Sequence, residues 1–192
     1  MKFSRRSDGF TLIEVLIVVS ILAILMSLIV VTVQKARVKA ISSVAAQYVN
    51  TLTTALEQFR EDEGYYPGSE YDDPEMNAFP ALYEALLGDP EESDKAGRSA
   101  PYLEVKEKDI GVRDEDTESY RQADLDEIRD PRVEKFILDP WNEPYFYREN
   151  KSKGKDWPGR RRHKFDLWST GPDRENQTLD EDEEKSDDLG NW

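Results

Sequence analysis

The strongest constraint on this chain is an almost unbroken apolar run from Phe10 to Val33, interrupted by a single acidic residue, Glu14. As a helix, these 24 residues extend about 36 Å at about 1.5 Å per residue. That is enough to cross the roughly 30 Å hydrocarbon core of a bilayer with some tilt. An ionisable group within such a run costs roughly 2.5–3.5 kcal/mol even on lenient insertion scales. Two readings of Glu14 follow from the residues alone: a carboxylate close enough to the helix end to reach headgroups, or one that meets a cation inside the membrane.

Composition narrows what the rest of the chain can be. The 192 residues carry a net charge of −15, with 35% charged residues and no cysteine. Acidity of this size argues against nucleic acid as a partner; it suits solubility or cation binding. Without cysteine, no disulfide braces the loops and no thiolate site exists. If the domain lies in an oxidising periplasm, a bound metal is one candidate for that bracing. About 24 residues given to a membrane leave enough for one small domain on a helical stalk.

The residues flanking Glu14 favour the second reading. Gly9-Phe10-Thr11-Leu12-Ile13-Glu14, after a short leader carrying Lys2, Arg5 and Arg6, resembles the processing site of the type IV pilin and pseudopilin superfamily. The resemblance implies cleavage by a prepilin peptidase between Gly9 and Phe10, N-methylation of Phe10, and pairing of Glu14 with the terminal amine of a neighbouring subunit. A membrane-buried carboxylate needs such an ammonium partner. The leader differs from an ordinary secretory signal, because its charges end before the apolar run and no Ala-x-Ala-like site follows. Residues 1–9 are therefore expected to be a prepilin leader and 10–33 a transmembrane and filament-core helix. Orientation rests on the leader staying cytoplasmic, because Lys35, Arg37 and Lys39 balance its three basic residues.

Beyond Val33 no helix breaker intervenes before Gly64. Ile41, Val44, Ala45, Tyr48, Leu52, Ala55, Leu56 and Phe59 recur three or four apart, an apolar stripe on an amphipathic helix over 34–63. Gly64 stops it and Pro67 prevents resumption. Residues 64–192 then form the periplasmic domain. Phe79–Leu87 reads as a short helix with Pro80 in its first turn and Gly88 at its end. Pro101–Val105 has strand composition. Residues 89–132 are otherwise charged, with at most a weak helix at 119–128, and read as a solvated insertion.

Phe136–Tyr147 reads as strand, proline-bounded turn and strand. Asp139-Pro140-Trp141-Asn142-Glu143-Pro144-Tyr145-Phe146-Tyr147 resembles the Asp-Pro-Trp-Gly-x-Pro-Tyr-x-Tyr signature of type II secretion major pseudopilins. Asn142 stands where glycine is usual, and asparagine is the next best residue at positive φ. Glu63-Gly64-Tyr65-Tyr66-Pro67 matches their Gly-x-Tyr-Pro turn. Arg148–Lys164 is a basic loop suited to complementing acidic surface on this subunit or the next. Phe165–Ser169 is expected to be the last strand.

The chain ends in an acidic segment, 170–192, with nine acidic residues against two basic ones from Asp173 onward. A frayed tail would have this composition. Against that, the segment closes with Leu189 and Trp192, apolar residues suited to docking. It also sets Asp173 and Asp187–Asp188 on either side of a loop, the separated oxygen donors that a hard cation takes. Major pseudopilins end in a comparable loop that binds one calcium. The resemblance implies carboxylates from Asp173, Asp187 and Asp188, with backbone carbonyls from Thr170 and Glu175. The usual Gly-Gly loop is replaced here by Asn176-Gln177-Thr178-Leu179, and an acidic run, Asp180–Glu184, follows.

The expected architecture is α+β and pilin-like: a long N-terminal helix packed on a small antiparallel sheet. The expected function is structural. Subunits would polymerise with one another and with minor pseudopilins, through an inner-membrane assembly platform, into a periplasmic pseudopilus for type II secretion. One alternative is a type IV pilin for adhesion, motility or DNA uptake, although those commonly carry a C-terminal disulfide loop. Another is a membrane-anchored calcium-binding module or enzyme. The single histidine, His163, lies among arginines that lower its basicity, so no nucleophile–base pair is evident and no catalytic residue is assigned.

Overall fold

The computed structural model describes residues 11–68, 70–71, 73, 76–87, 101–114, 117, 119–151, 153, 164–177 and 187–192. The chain divides into two compact units, Met1–Ala40 and Ile41–Trp192. Helix α1, Leu12–Glu63, belongs to both.

In the first unit α1 is a bare apolar rod. Leu16, Leu22, Leu25 and Ile29 are exposed, as are most of their neighbours. Its hydroxyls are satisfied by the helix itself: Ser20 Oγ donates to the Leu16 carbonyl and Ser27 Oγ to that of Ile24, both at 2.7 Å, and Thr32 Oγ1 to that of Ile29 at 2.9 Å. This internal pairing suits an environment without water. Among the described residues, this is the one helix long and apolar enough to cross a membrane.

In the second unit α1 buries Ala45, Val49, Leu52, Ala55, Leu56 and Phe59. The stripe differs from the expected one at its start. Ile41 lies ahead of the first buried position and Val44 is turned about 100° from Ala45; both are exposed. Val49 takes the core position, while Tyr48 stacks on Tyr145. Gly64 ends the helix as expected, at φ 84° with its N–H on the Arg60 carbonyl. Helix α2 is Phe79–Leu87, and Gly88 lies outside the described residues.

The sheet is present as two three-stranded antiparallel sheets. One joins β1 (Ile110–Arg113) to β2 (Tyr120–Gln122) and β3 (Phe136–Ile137). The other joins β4 (Phe146–Glu149), β5 (Phe165–Ser169) and β6 (Leu189–Gly190). The expected hairpin is thus shared between sheets. Its two arms meet at the Leu138–Pro144 bridge, with the Tyr145 N–H on the Ile137 carbonyl and the Asp139 N–H on the Glu143 carbonyl. Asn77 couples α2 to β4: its Oδ1 accepts from Phe79 and Tyr147 N–H at 3.0 Å, and its Nδ2 donates to the Tyr145 carbonyl.

Three expectations are corrected. Pro101–Val105 is irregular, because Tyr102 donates its N–H to the end of α2 (Leu86 carbonyl) and its hydroxyl to Asp62 rather than joining a ladder. The described part of 89–132 is folded rather than solvated: Ile110, Val112 and Ala123 form a small buried cluster. There the weak helix is present only in the second half of its expected range, as α3, Leu125–Arg129, which opens with an Asp124–Glu127 capping box; β2 takes the first half. Finally, β5 is followed by a further strand, β6.

The basic loop is partly drawn into the domain. Arg148 lies in β4 and pairs with Asp166 at 2.9 Å, both buried. Lys164 reaches Glu57 of α1 at 2.6 Å. These pairs satisfy acidic groups of the same subunit.

Candidate functional site

At the N-terminal end, Gly9 and Phe10 lie outside the described residues, and Glu14 is in the first turn of α1. Thr11 precedes the helix and Glu14 stands three residues on, the spacing of a capping box. Glu14 Oε2 accepts from the Thr11 N–H at 2.9 Å and from the Thr11 hydroxyl at 2.8 Å. In return, the Glu14 N–H reaches Thr11 Oγ1 at 3.3 Å. In a single subunit the carboxylate therefore has polar partners of its own, and it sits where the positive end of the helix dipole favours it. Sequence reasoning had not anticipated Thr11, although Thr-x-x-Glu ahead of an apolar run was the available signal.

In the second unit, the turn after β3 is built around Asp139. Its Oδ1 accepts from the Trp141 and Glu143 N–H groups at 2.8 and 3.0 Å. Asn142 adopts φ 65°, as expected for the residue replacing glycine. Asp139 is only 5% exposed. Burial pushes its pKa up, opposed by hydrogen bonds from Ser169, Glu143 and Trp141 and by the charge of Arg174.

The acidic segment is not frayed where it is described. β6 pairs with β5, Trp168 opposite Gly190 and Ser169 opposite Leu189. Asn191 locks this pairing. Its N–H donates to the Leu167 carbonyl at 3.1 Å and its Oδ1 accepts from the Leu167 N–H at 3.2 Å. Trp192 covers Gly190, where a Cβ would run into its ring, and lies beside Trp168 at 6.2 Å between centroids.

Between β5 and β6 the predicted oxygen donors converge in part. Asp187 lies against Asp173; burial, then that neighbouring carboxyl, push the Asp187 pKa up. Asp173 accepts from the Glu175 N–H at 2.9 Å and from Gln177 Nε2 at 3.0 Å, and Asp188 accepts from the Gln177 N–H at 3.2 Å. Gln177 thereby ties both acidic arms together, a role the sequence did not reveal. The Glu175 side chain is exposed. Thr170 is 2% exposed, and its Oγ1 is buried without a hydrogen-bond partner among the described residues, as are Asp187 Oδ1 and Gln177 Oε1. Asp180–Glu184 and His163 lie outside the described residues.

Among the described residues, no three His, Cys, Asp or Glu side chains group as a metal centre. What comes together is the Asp173–Asp187 pair, with the Gln177 side-chain amide on Asp173 and the Asp187 carbonyl oxygen beside Gly171. Zinc and its neighbours prefer nitrogen and sulfur, whereas calcium takes such mixed oxygen sets. The three unpartnered oxygens each cost free energy unless a cation or water meets them, and the donor set fits calcium.

Comparison with known proteins bears on both ends. Residues 4–30 match the model of the prokaryotic N-terminal methylation motif, and residues 117–192 match that of type II secretion system protein G. The type II secretion system core protein G of Pseudomonas aeruginosa is 27% identical, over 98% of this chain and 96% of that protein. Its counterpart from Aeromonas hydrophila is 28% identical, over 98% and 94%. No solved structure matches. The methylation motif at the start, the protein G match from residue 117 onward and the near full-length correspondence point the same way. Over nearly its whole length the chain is similar to protein G of type II secretion systems, with a prokaryotic N-terminal methylation motif at its start.

Proposed function

We infer that this chain is a structural subunit of the pseudopilus of a type II secretion system. The observation that carries the reading is a bare apolar helix that opens on Glu14 within a methylation motif, joined to a domain of the protein G type. An apolar rod of this kind must be covered by lipid or by other helices. Identical head-to-tail contacts that do not close on themselves produce an open helical filament.

In this reading prepilin peptidase cleaves between Gly9 and Phe10 and the new Phe10 terminus is methylated. Its ammonium then draws Glu14 of a neighbour away from the Thr11 cap. Each addition exchanges lipid contacts for helix packing, and the amine–carboxylate pair sets the register. Residues 10–33 anchor the subunit in the inner membrane with residues 64–192 in the periplasm. Minor pseudopilins and the inner-membrane assembly platform are its partners, and the filament drives protein export across the outer membrane. The subunit is not an enzyme.

Calcium belongs to the same reading. Asp173 and Asp187 are its carboxylate ligands, with oxygens of Thr170, Glu175 and Gln177 completing the set and Asp188 holding the loop through Gln177. Bound calcium neutralises charge in a segment that otherwise repels itself.

The deciding experiment replaces Glu14 by Ala in cells that export a substrate. The expected result is a stable, membrane-inserted subunit, no cross-linked multimers and no export. Normal assembly of the Glu14→Ala chain would refute the filament reading in favour of a simple anchor. For calcium, millimolar ion should raise the thermal midpoint over that in chelator, and Asp173→Ala or Asp187→Ala should remove the shift. At a hundred times Kd the gain is about 2.7 kcal/mol.

A further inference from the structure

A buried carboxylate outside the acidic segment is hydrogen-bonded to the strand that leads into it. Asp139 belongs to the turn after β3, yet its turn uses only one of its two oxygens. Oδ1 takes both turn N–H groups, from Trp141 and Glu143. Oδ2 points across to β5 and accepts the Ser169 hydroxyl at 2.5 Å, a fully buried contact between residues 30 apart in sequence. Ser169 has one proton, and Asp139 holds it. The lone pairs of Ser169 Oγ are thereby left to accept the Gly171 N–H, at 3.2 Å.

The relay ends where the two arms of the acidic loop touch. Gly171 has φ 75°, and a Cβ placed there would stand 2.5 Å from the Asp187 carbonyl oxygen. The Gly171 backbone therefore defines how closely the Asp187 arm can approach. Thr170, whose buried hydroxyl has no partner among the described residues, lies between the two residues the relay fixes.

We propose that Asp139 is a positioning residue for the cation site: through Ser169 it orients the Thr170–Gly171 backbone against which Asp187 is seated. The proposal rests on the calcium reading above. Asp139 is not itself a ligand; it acts by setting the direction of one hydroxyl. An asparagine in its place keeps an oxygen for the turn, but its amide would donate to Ser169 Oγ. The serine proton would then need another acceptor, and the hold on Gly171 would be lost.

The test uses the full processed chain in detergent micelles, with calcium itself as titrant. Calcium affinity is measured by calorimetry for wild type, Asp139→Asn and Ser169→Ala. Exchange of the Gly171 amide and the thermal midpoint are followed in chelator. The expected result is at least a tenfold weaker calcium Kd in both variants, with faster Gly171 exchange, at a temperature where the metal-free variants remain folded. The double variant should be no weaker than either single one, because both cut the same relay. Wild-type affinity in Asp139→Asn, or in Ser169→Ala where Asp139→Asn fails to fold, overturns the positioning role and leaves calcium binding intact. Failure of the wild-type chain to bind millimolar calcium overturns the calcium reading, and this proposal with it.

Discussion

The Arg148–Asp166 pair offers the sharpest test of what holds the β4–β5 platform under the acidic loop. The two residues are directly opposite in the strand register. Their side chains are 3% and 0% exposed, with Nη2 and Oδ2 2.9 Å apart. The guanidinium also lies over the Trp168 ring, 5.3 Å from its centroid. Replacing Asp166 by Leu removes the carboxylate opposite a buried guanidinium, and removing one partner of such a pair costs about 3–5 kcal/mol. A domain of this size shifts about 2–4 °C per kcal/mol, so the midpoint should fall by roughly 6–20 °C.

Replacing both partners gives a different result. Arg148→Met with Asp166→Leu removes the charges together and spares the desolvation cost. Comparable replacements range from neutral to about 1–4 kcal/mol stabilising. Here the lost contact with Trp168 takes back about 0.5–2 kcal/mol, so the double variant should lie near wild type. Urea denaturation of the unit Ile41–Trp192 measures both variants against wild type. A loss below about 1 kcal/mol in Asp166→Leu, or a double variant as unstable as the single one, would refute the argument that stranded charge is the dominant cost.

Three further outcomes are expected. Phe59→Ala removes a ring that is 2% exposed and packed edge-on to Tyr65 and Tyr102; it should cost about 3–5 kcal/mol, read from the urea midpoint. Gly111→Ala places a methyl group against the Leu138 side chain. It should cost about 1–3 kcal/mol, and an added Leu138→Ala should restore part of it. At high pH, burial pushes the Tyr48 phenol up to about 12 and holds Tyr147 well above its ordinary value near 10. A raised folded pKa means stability complete below pH 10 and lost as pH rises through the folded values. Unfolding midpoints should therefore begin to fall above pH 10, with tyrosinate absorbance rising in the same transition.

Much of the fold was legible because its signals are local. Phe79–Leu87 carries its own proline start, Gly64 its own stop, and Asn142 its own turn chemistry; each lies where its residue type requires. The first sheet was not legible. β1 and β2 are four and three residues long within a charged stretch, and their ladder is completed by β3, with Leu138 packed against Gly111. Pairing partners far apart in sequence leave no periodic trace in a four-residue strand. The candidate site divides the same way. Glu14 is conspicuous against an apolar run, whereas Asp139 and Ser169 become meaningful only when a turn and a strand 30 residues apart meet in space.

A cysteine-free domain must close its C-terminal loop by other means, and the closure seen here has two parts of opposite character. The inner part is made of hydrogen bonds and packing: Asn191 doubles a two-residue strand onto β5, and Trp192 lies over Gly190. The outer part is conditional, since Asp173 and Asp187 repel each other and three nearby oxygens lack partners. The clasp alone brings like charges together, and on the proposed calcium reading a divalent cation would convert that repulsion into attraction. This gives the calcium test a direction in pH as well. The pKa of Asp187 is raised, so protons occupy it more readily than an ordinary carboxylate and compete with the metal. Calcium affinity should therefore fall as pH drops, beginning above the ordinary aspartate range. Substituting Asp173 by Asn removes the neighbouring charge and should move that onset to lower pH; an onset unchanged by Asp173→Asn would mean that burial alone sets it.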